Sequence, residues 1–263
     1  MKLESCMPLS TRFMHVWMRN LTVYRKIWKT TFIPPLLEPC FYILAFGVGL
    51  SALVGDLPYQ GEKVSYVRFI APALLAVNIM YNAFFETTYS SFVRMYFQKT
   101  FDAMMATPLF LSEIIAGEII WAATKSMAAT IIMMTVISMF GLITYPAGLL
   151  ILPLSFFGGL AFGAIGMFFT GIVKSIELYN LPIFLFITPM FLFSGTFFPV
   201  ENLPVWAQQL ALIFPLTHLV SIIRAACFGM LRLELVWNLL YLLVFTCIFF
   251  PVGLFFMNRR LIK

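Results

Sequence analysis

Six long apolar runs constrain this chain more than any other feature. They lie near Phe32–Val54, Phe69–Val93, Ile114–Phe140, Ala147–Ile172, Leu178–Val200 and Leu235–Met257. About 20 consecutive apolar residues cross a bilayer as an α-helix, and each run reaches that length. Hydrophobic residues make up 62% of the 263, and charged residues 11%. A soluble domain carries about 25% charged residues, so a soluble enzyme is excluded. The runs are continuous rather than alternating, which excludes a transmembrane β-barrel. The expected fold is an all-α integral membrane protein of six transmembrane helices, one domain over residues 1–263.

An even number of runs places both termini on one side. With the termini inside, twelve of the 17 Lys and Arg fall inside and four (Lys63, Arg68, Arg224, Arg232) outside. Lys125 lies within the third run. Cytoplasmic loops carry the excess of cations. The sequence therefore predicts a multi-pass protein of the bacterial inner (plasma) membrane with both termini cytoplasmic. The first thirty residues are polar and basic and lack the short apolar core of a signal peptide, so the first run is expected to be retained. The cysteines Cys6, Cys40, Cys227 and Cys247 are scattered and show neither a disulfide framework nor metal spacing.

Two segments outside the runs are organised. In residues 10–30, Phe13, Trp17, Leu21, Tyr24 and Trp28 fall on one arc of a helical wheel. Arg12, Arg19, Arg25, Lys26 and Lys29 fall opposite. This pattern predicts a basic amphipathic helix lying in the cytoplasmic interface. Pro34, Pro35 and Pro39 then argue against its straight continuation into the first span. The second segment, 198–233, is too apolar for a plain loop and is cut by Pro199, Pro204 and Pro215 into pieces too short to span. It predicts two short re-entrant or interfacial helices on the periplasmic side, near Val205–Phe214 and Leu216–Phe228, with Cys227 partly wet.

Polar residues within apolar runs are costly and mark either function or packing. Asn78, Asn82 and Glu86 are spaced i, i+4, i+8 on one face of the second run. Glu118 and Lys125 share a face of the third. Glu38 lies in the first run, and Glu177 and Asn180 begin the fifth. Asn78, Asn82, Glu86, Lys125 and Asn180 are candidates to line a path for a polar or amphiphilic cargo. The competing reading is interhelical hydrogen bonding, in which Glu86 and Lys125 neutralise each other. Gly159-x-x-x-Gly163 in the fourth run permits close helix approach.

The cytoplasmic loop 94–113 reads RMYFQKTFDAMMATPLFLSE. Gln98–Ala106 is amphipathic, and Thr107-Pro108 stops it. Phe97, Phe101, Met104 and Met105 either fold back on the bundle or dock on a partner.

Chemistry is sparse. There is no Gly-x-x-x-x-Gly-Lys-Ser/Thr phosphate loop, no His-Glu-x-x-His helix and no Gly-x-Ser-x-Gly elbow. The chain itself is expected to be no enzyme and to bind no cofactor or metal, and nothing in it addresses nucleic acid. Two weaker classes stand beside a permease. One is an ion-coupled secondary transporter using Glu86 and Lys125, though no internal repeat supports it. The other is an intramembrane enzyme on lipid-linked sugars using Glu38, Glu86 and His218.

The run Phe85–Thr124, FETTYSSFVRMYFQKTFDAMMATPLFLSEIIAGEIIWAAT, resembles the second-span, coupling-helix and third-span region of ABC-type 2 exporter permeases. The segment SGTFFPVENLP (Ser194–Pro204), followed by PLTH and Arg224, resembles the outside signature of that superfamily. Within it the chain is most similar to the NodJ-like permeases that export nodulation factors, which are lipo-oligosaccharides. The resemblance implies a homodimeric permease paired with two copies of a separate ABC ATPase subunit, which holds the ATP and Mg. It maps the coupling helix onto Gln98–Ala106, with Gln98, Lys99, Phe101, Asp102, Met104 and Met105 as ATPase contacts. The cargo it implies is a lipo-oligosaccharide, another glycan–lipid conjugate or a drug-like amphiphile. The outside segment then reads as a periplasmic gate formed by Phe197, Phe198, Pro199, Pro215, His218 and Arg224.

Overall fold

The computed structural model describes residues 10–50, 55–59, 62–230, 232–233 and 235–262. Among the described residues, five helices are long and apolar enough to cross a membrane: α2 (Tyr66–Phe97), α4 (Leu111–Met139), α5 (Ala147–Ile172), α6 (Ile176–Phe193) and α9 (Leu235–Leu261). They coincide with five of the six apolar runs, as expected for hydrophobic segments that satisfy their backbone internally. The sixth run falls in α1 (Phe13–Tyr42) and the π-helical turns Ile43–Leu50. Its last residues, 51–54, lie outside the described residues. Between α2 and α4 sits the short helix α3 (Thr100–Met105). Between α6 and α9 lie α7 (Val205–Ile213) and α8 (Pro215–Phe228), bent 87° to each other.

The all-α membrane fold carries one addition and one correction. Between the first and second apolar runs, β1 (Asp56–Tyr59) and β2 (Glu62–Ser65) form an antiparallel hairpin with Asp56 opposite Ser65 and Tyr59 opposite Glu62. Gly55, at φ +67°, admits the chain to it. The three prolines also do not end the first helix. α1 keeps its helical pattern through Pro34, Pro35 and Pro39 to Tyr42 and only then loosens into π turns. A proline removes its own backbone donor, and π turns are one way a helix accommodates such losses.

The two ends of the bundle differ in chemistry. At one end Arg12 Nη1 donates to Pro108 O (2.8 Å), and Arg260 reaches the carbonyls of Thr170 and Val173 that end α5. A cation there complements the C-terminal end of the helix dipole. The start of α1, the 98–110 loop and the end of α9 therefore gather at one basic end. A core of Val16, Phe92, Phe101, Ile115, Met167, Tyr179 and Met257 lies beneath them. At the other end the hairpin packs Tyr59 against Phe69 and Phe228, and Phe197 meets Phe46 and Phe191.

Close approach of α5 to its neighbours depends on glycine. A Cβ on Gly166 would overlap Thr87 Oγ1 and stand 2.9 Å from Phe84 O of α2, and one on Gly159 would stand 2.7 Å from Ala123 Cα of α4. Between helices in lipid, such packing replaces the missing hydrophobic driving force. Gly166→Ala is expected to destabilise the chain by about 1–3 kcal/mol through overpacking. Thermal unfolding in detergent checks this, and an unchanged midpoint would refute the packing account.

Candidate functional site

The second run bends away from ideal α-geometry where its polar residues stand. α2 is α-helical to Phe85 and then passes through π turns at Glu86–Ser90 and Val93–Phe97. Hydroxyls take up the displaced carbonyls. Thr87 and Thr88 donate to Phe84 O, and Ser91 donates to Glu86 O five residues back. Thr170 of α5 donates to Thr87 O at 2.7 Å, and Tyr179 donates to Thr170 at 2.9 Å. π turns of this kind recur at functional positions.

These turns set Glu86 and Arg94 in one buried charge cluster with α4. Lys125 Nζ lies 2.6 Å from Glu86 Oε2, and Arg94 Nη1 lies 2.8 Å from Glu86 Oε1, to which Trp121 also donates (3.1 Å). Arg94 Nη2 reaches Glu118 Oε2 at 2.6 Å. Ser91 donates to the same oxygen at 2.6 Å, and Asn20 of α1 donates to Glu118 Oε1 at 2.8 Å. Two carboxylates thus face two cations, with each charge hydrogen-bonded as buried ions require. Glu118 is fully buried, whereas the Lys125 side chain keeps 22% of its exposure.

The amphipathic segment packs differently from its wheel. Val16 and Asn20 are its buried residues, Trp17 Nε1 donates to Thr124 (3.1 Å), and Tyr24 stacks edge-on to Trp121. Arg19, expected on the solvent arc, instead bonds Asn20 Oδ1 (2.8 Å) and Thr100 of α3 (3.3 Å). Burial pulls its guanidinium below the usual arginine value, Arg94 adds to that, and Glu118 opposes it. Two cavities, of about 350 and 370 Å³, flank the Glu86–Lys125 pair. The first is lined by Arg19, Tyr24, Arg94, Gln98 and Trp121, and the second by Pro34, Glu38, Tyr81 and Asn82.

The other expected path residues divide. Asn78 donates to Glu38 Oε2 (3.3 Å), and Asn82 Nδ2 donates back to Asn78 Oδ1 (3.2 Å) and O (3.0 Å). Asn180 is exposed at the start of α6 and lines neither cavity, so the structure does not bring it to the rest.

In the 98–110 loop, Lys99 adopts a left-handed conformation (φ 50°) and starts α3. Phe101 is fully buried, so it folds back on the bundle rather than facing a partner. Met104 and Met105 are half-buried, and Gln98 and Asp102 are exposed. The exposed aromatics are instead Tyr96 (61%), Phe97 (63%) and Phe110 (42%). Among the described residues, no group of three or more His, Cys, Asp or Glu side chains is placed to hold a metal ion.

At the opposite end, α8 is largely buried. Arg224 donates to Gly195 O at 2.8 Å, and its guanidinium lies 3.9 Å from the centre of the Phe69 ring. His218 contacts Asn238 Oδ1 and Leu212 O and stacks on Tyr241, which fastens α8 to α7 and α9. Pro199 and Pro215 are buried, Phe197 is half-buried, and Phe198 is exposed. Cys227 is fully enclosed rather than partly wet, because it packs inside the α8 core.

Comparison with known proteins places this arrangement. The profile of the ABC-2 type transporter family matches residues 11–228. The chain belongs to the ABC-2 type transporter family. It is 35% identical to nodulation protein J of Rhizobium leguminosarum bv. viciae over 248 residues, 94% of each chain. It is 34% identical to nodulation protein J of Rhizobium meliloti over 214 residues, covering 81% of this chain and 80% of the relative. The inner membrane transport permease YadH of Escherichia coli K12 is 24% identical over 238 residues, 90% of this chain and 91% of the relative. An ABC-2 chain is the transmembrane part of its transporter and not itself an enzyme.

In this ABC-2 transporter chain, Arg94, Glu118 and Asn20 form a junction that sequence reading assigned to a loop cation, one face of the third run and nothing in particular. The available signal was the polarity of Ser91 and Arg94 at the end of the second run.

Proposed function

We propose that the chain is the permease subunit of an ATP-driven exporter that moves a lipo-oligosaccharide, glycolipid or other amphiphile out across the bacterial inner membrane. Both termini and the 98–110 loop face the cytoplasm. Two copies pair as a homodimer with two ABC ATPase subunits, which bind ATP and Mg, and the permease does no covalent chemistry. The excess of cations at the end that gathers Arg12, Arg94, Lys99 and Arg260 supports this orientation. The kinship with nodulation protein J supports the class of cargo.

The observation that carries the reading is the connection of the loop to rigid elements. α3 touches Arg19 through Thr100, Arg19 holds Asn20, Asn20 holds Glu118, and Glu118 holds Arg94. A push on the loop by a closing ATPase dimer is thereby transmitted to α1, α2 and α4 together, the shift of packed helices that alternating access requires. Gln98, Lys99 and Asp102, with Met104 and Met105 at its margin, form the coupling surface beside Tyr96, Phe97 and Phe110. Phe101 supports it from inside. Phe197, Phe198, Pro199, Pro215, His218 and Arg224 close the opposite end.

Phe97→Asp tests the surface. Because Phe97 is mostly exposed, folding should change by no more than about 0.5 kcal/mol, while recovery of the ATPase with the permease falls sharply. Normal copurification and transport in that variant would overturn the docking role. The second cargo class, drug-like amphiphiles, is favoured by one feature, an apolar crevice of about 460 Å³ between α5 and α6, lined by Phe168, Phe169, Leu181 and Phe186.

A further inference from the structure

At the hairpin end, a second kind of cavity opens between the hairpin, the 199–202 turn, α8 and the start of α9. Its volume is about 450 Å³, within the range of about 300–1,000 Å³ typical of small-molecule sites. Its walls are polar, unlike those of the α5–α6 crevice. Glu201, Asn202, Arg232 and Asn238 bring a carboxylate, two amides and a guanidinium, while Tyr59, Met230 and Leu235 supply an aromatic and apolar floor. Asn238 is hydrogen-bonded to His218 at 2.8 Å, which fixes its amide at the cavity wall.

From this lining we infer that the cavity binds a saccharide unit of the cargo. Planar carboxylate, amide and guanidinium groups suit neighbouring sugar hydroxyls, each of which both donates and accepts. The floor suits the C–H face of a pyranose ring. The charged groups of the lining, Glu201 and Arg232, are of opposite sign, so a phosphate gains no net attraction there. An acyl chain would leave the polar walls without partners. The site thus selects neutral polyhydroxylated ligands. It lies at the end away from the 98–110 loop, where an exported glycan leaves. This deepens the glycan-cargo reading above and rests on it.

The test uses the full chain with its ATPase in lipid nanodiscs. Saturation-transfer NMR measures binding of mannotetraose, of N-acetylglucosamine tetramer and of inorganic phosphate. At least one sugar is expected to bind, and phosphate is not. The double variant Glu201→Ala, Asn202→Ala changes two exposed side chains. It should weaken sugar binding at least tenfold while thermal stability and ATPase copurification stay as in the wild type. Absence of sugar binding by the wild type, equal binding by the variant, or competition by phosphate would each overturn the saccharide site. If the ATPase copurifies and drives export yet no sugar binds, only this inference fails. If sugar binds but no ATPase associates, the exporter reading fails and the site stands.

Discussion

Replacing Glu118 with alanine is expected to cost about 3–5 kcal/mol, the range for breaking a buried ion pair by removing one partner. Glu118 is fully buried and accepts from Asn20, Ser91 and twice from Arg94. Without it, Arg94 and Lys125 share the single carboxylate of Glu86, and α1 loses the Asn20 bond to α4, keeping that of Trp17 to Thr124. Thermal unfolding and size-exclusion profiles in mild detergent measure the loss. A variant as stable as the wild type would show that the cluster is not what joins these helices. The same cluster gives a sharper test at its other half. Glu86→Gln strands Lys125, and Lys125→Met leaves an excess of negative charge, but the double variant restores neutrality with Glu118 facing Arg94. The two losses should therefore be non-additive by about 0.5–3 kcal/mol. If they add, Glu86 and Lys125 do not act as a pair, and the cargo-path role of Glu86 gains weight. If stability and transport both return in the double variant, Glu86 serves structure.

Phe101→Ala is expected to destabilise the permease by about 3–5 kcal/mol, the range for removing a buried phenylalanine side chain. Phe101 lies in the connecting loop between two spans, so its burial removes it from water rather than from lipid. It packs in the core with Val16, Phe92 and Ile115. The loss should show in the permease expressed without any ATPase, and Phe101→Leu should restore most of the stability. A Phe101→Ala permease of normal stability that fails to recruit its ATPase would overturn the buried-core account and return Phe101 to the docking surface.

The five long helices were legible because a run of apolar residues needs only its own backbone to be satisfied in lipid, and composition alone reports that. The pair of short helices at Val205–Ile213 and Pro215–Phe228 was legible for a related reason, since Pro204 and Pro215 cut the apolar segment at their starts. That Glu118 and Lys125 share one face of the third run followed from helical spacing. Arg94 did not follow. It lies just past the end of the second apolar run and counted there as a loop cation, whereas the helix continues to Phe97 through π turns at Glu86–Ser90 and Val93–Phe97. The Asp56–Ser65 hairpin was missed because its strands are only four residues long, too short for a pattern to show.

What the sequence determined by itself is the solvent in which this protein lives, the length and order of its spans and the cations concentrated toward one end. These depend on local composition, which acts residue by residue. Only the tertiary structure decided which polar side chains meet. Whether Phe101 faces out or in, whether Arg19 touches solvent or Thr100, and whether Glu86 stands alone or between Lys125 and Arg94 depend on contacts 39 to 81 residues apart in the chain or on a change of helical pitch. Local propensity carries no information about such contacts, since the free energy that selects them arises only when the helices have closed on one another.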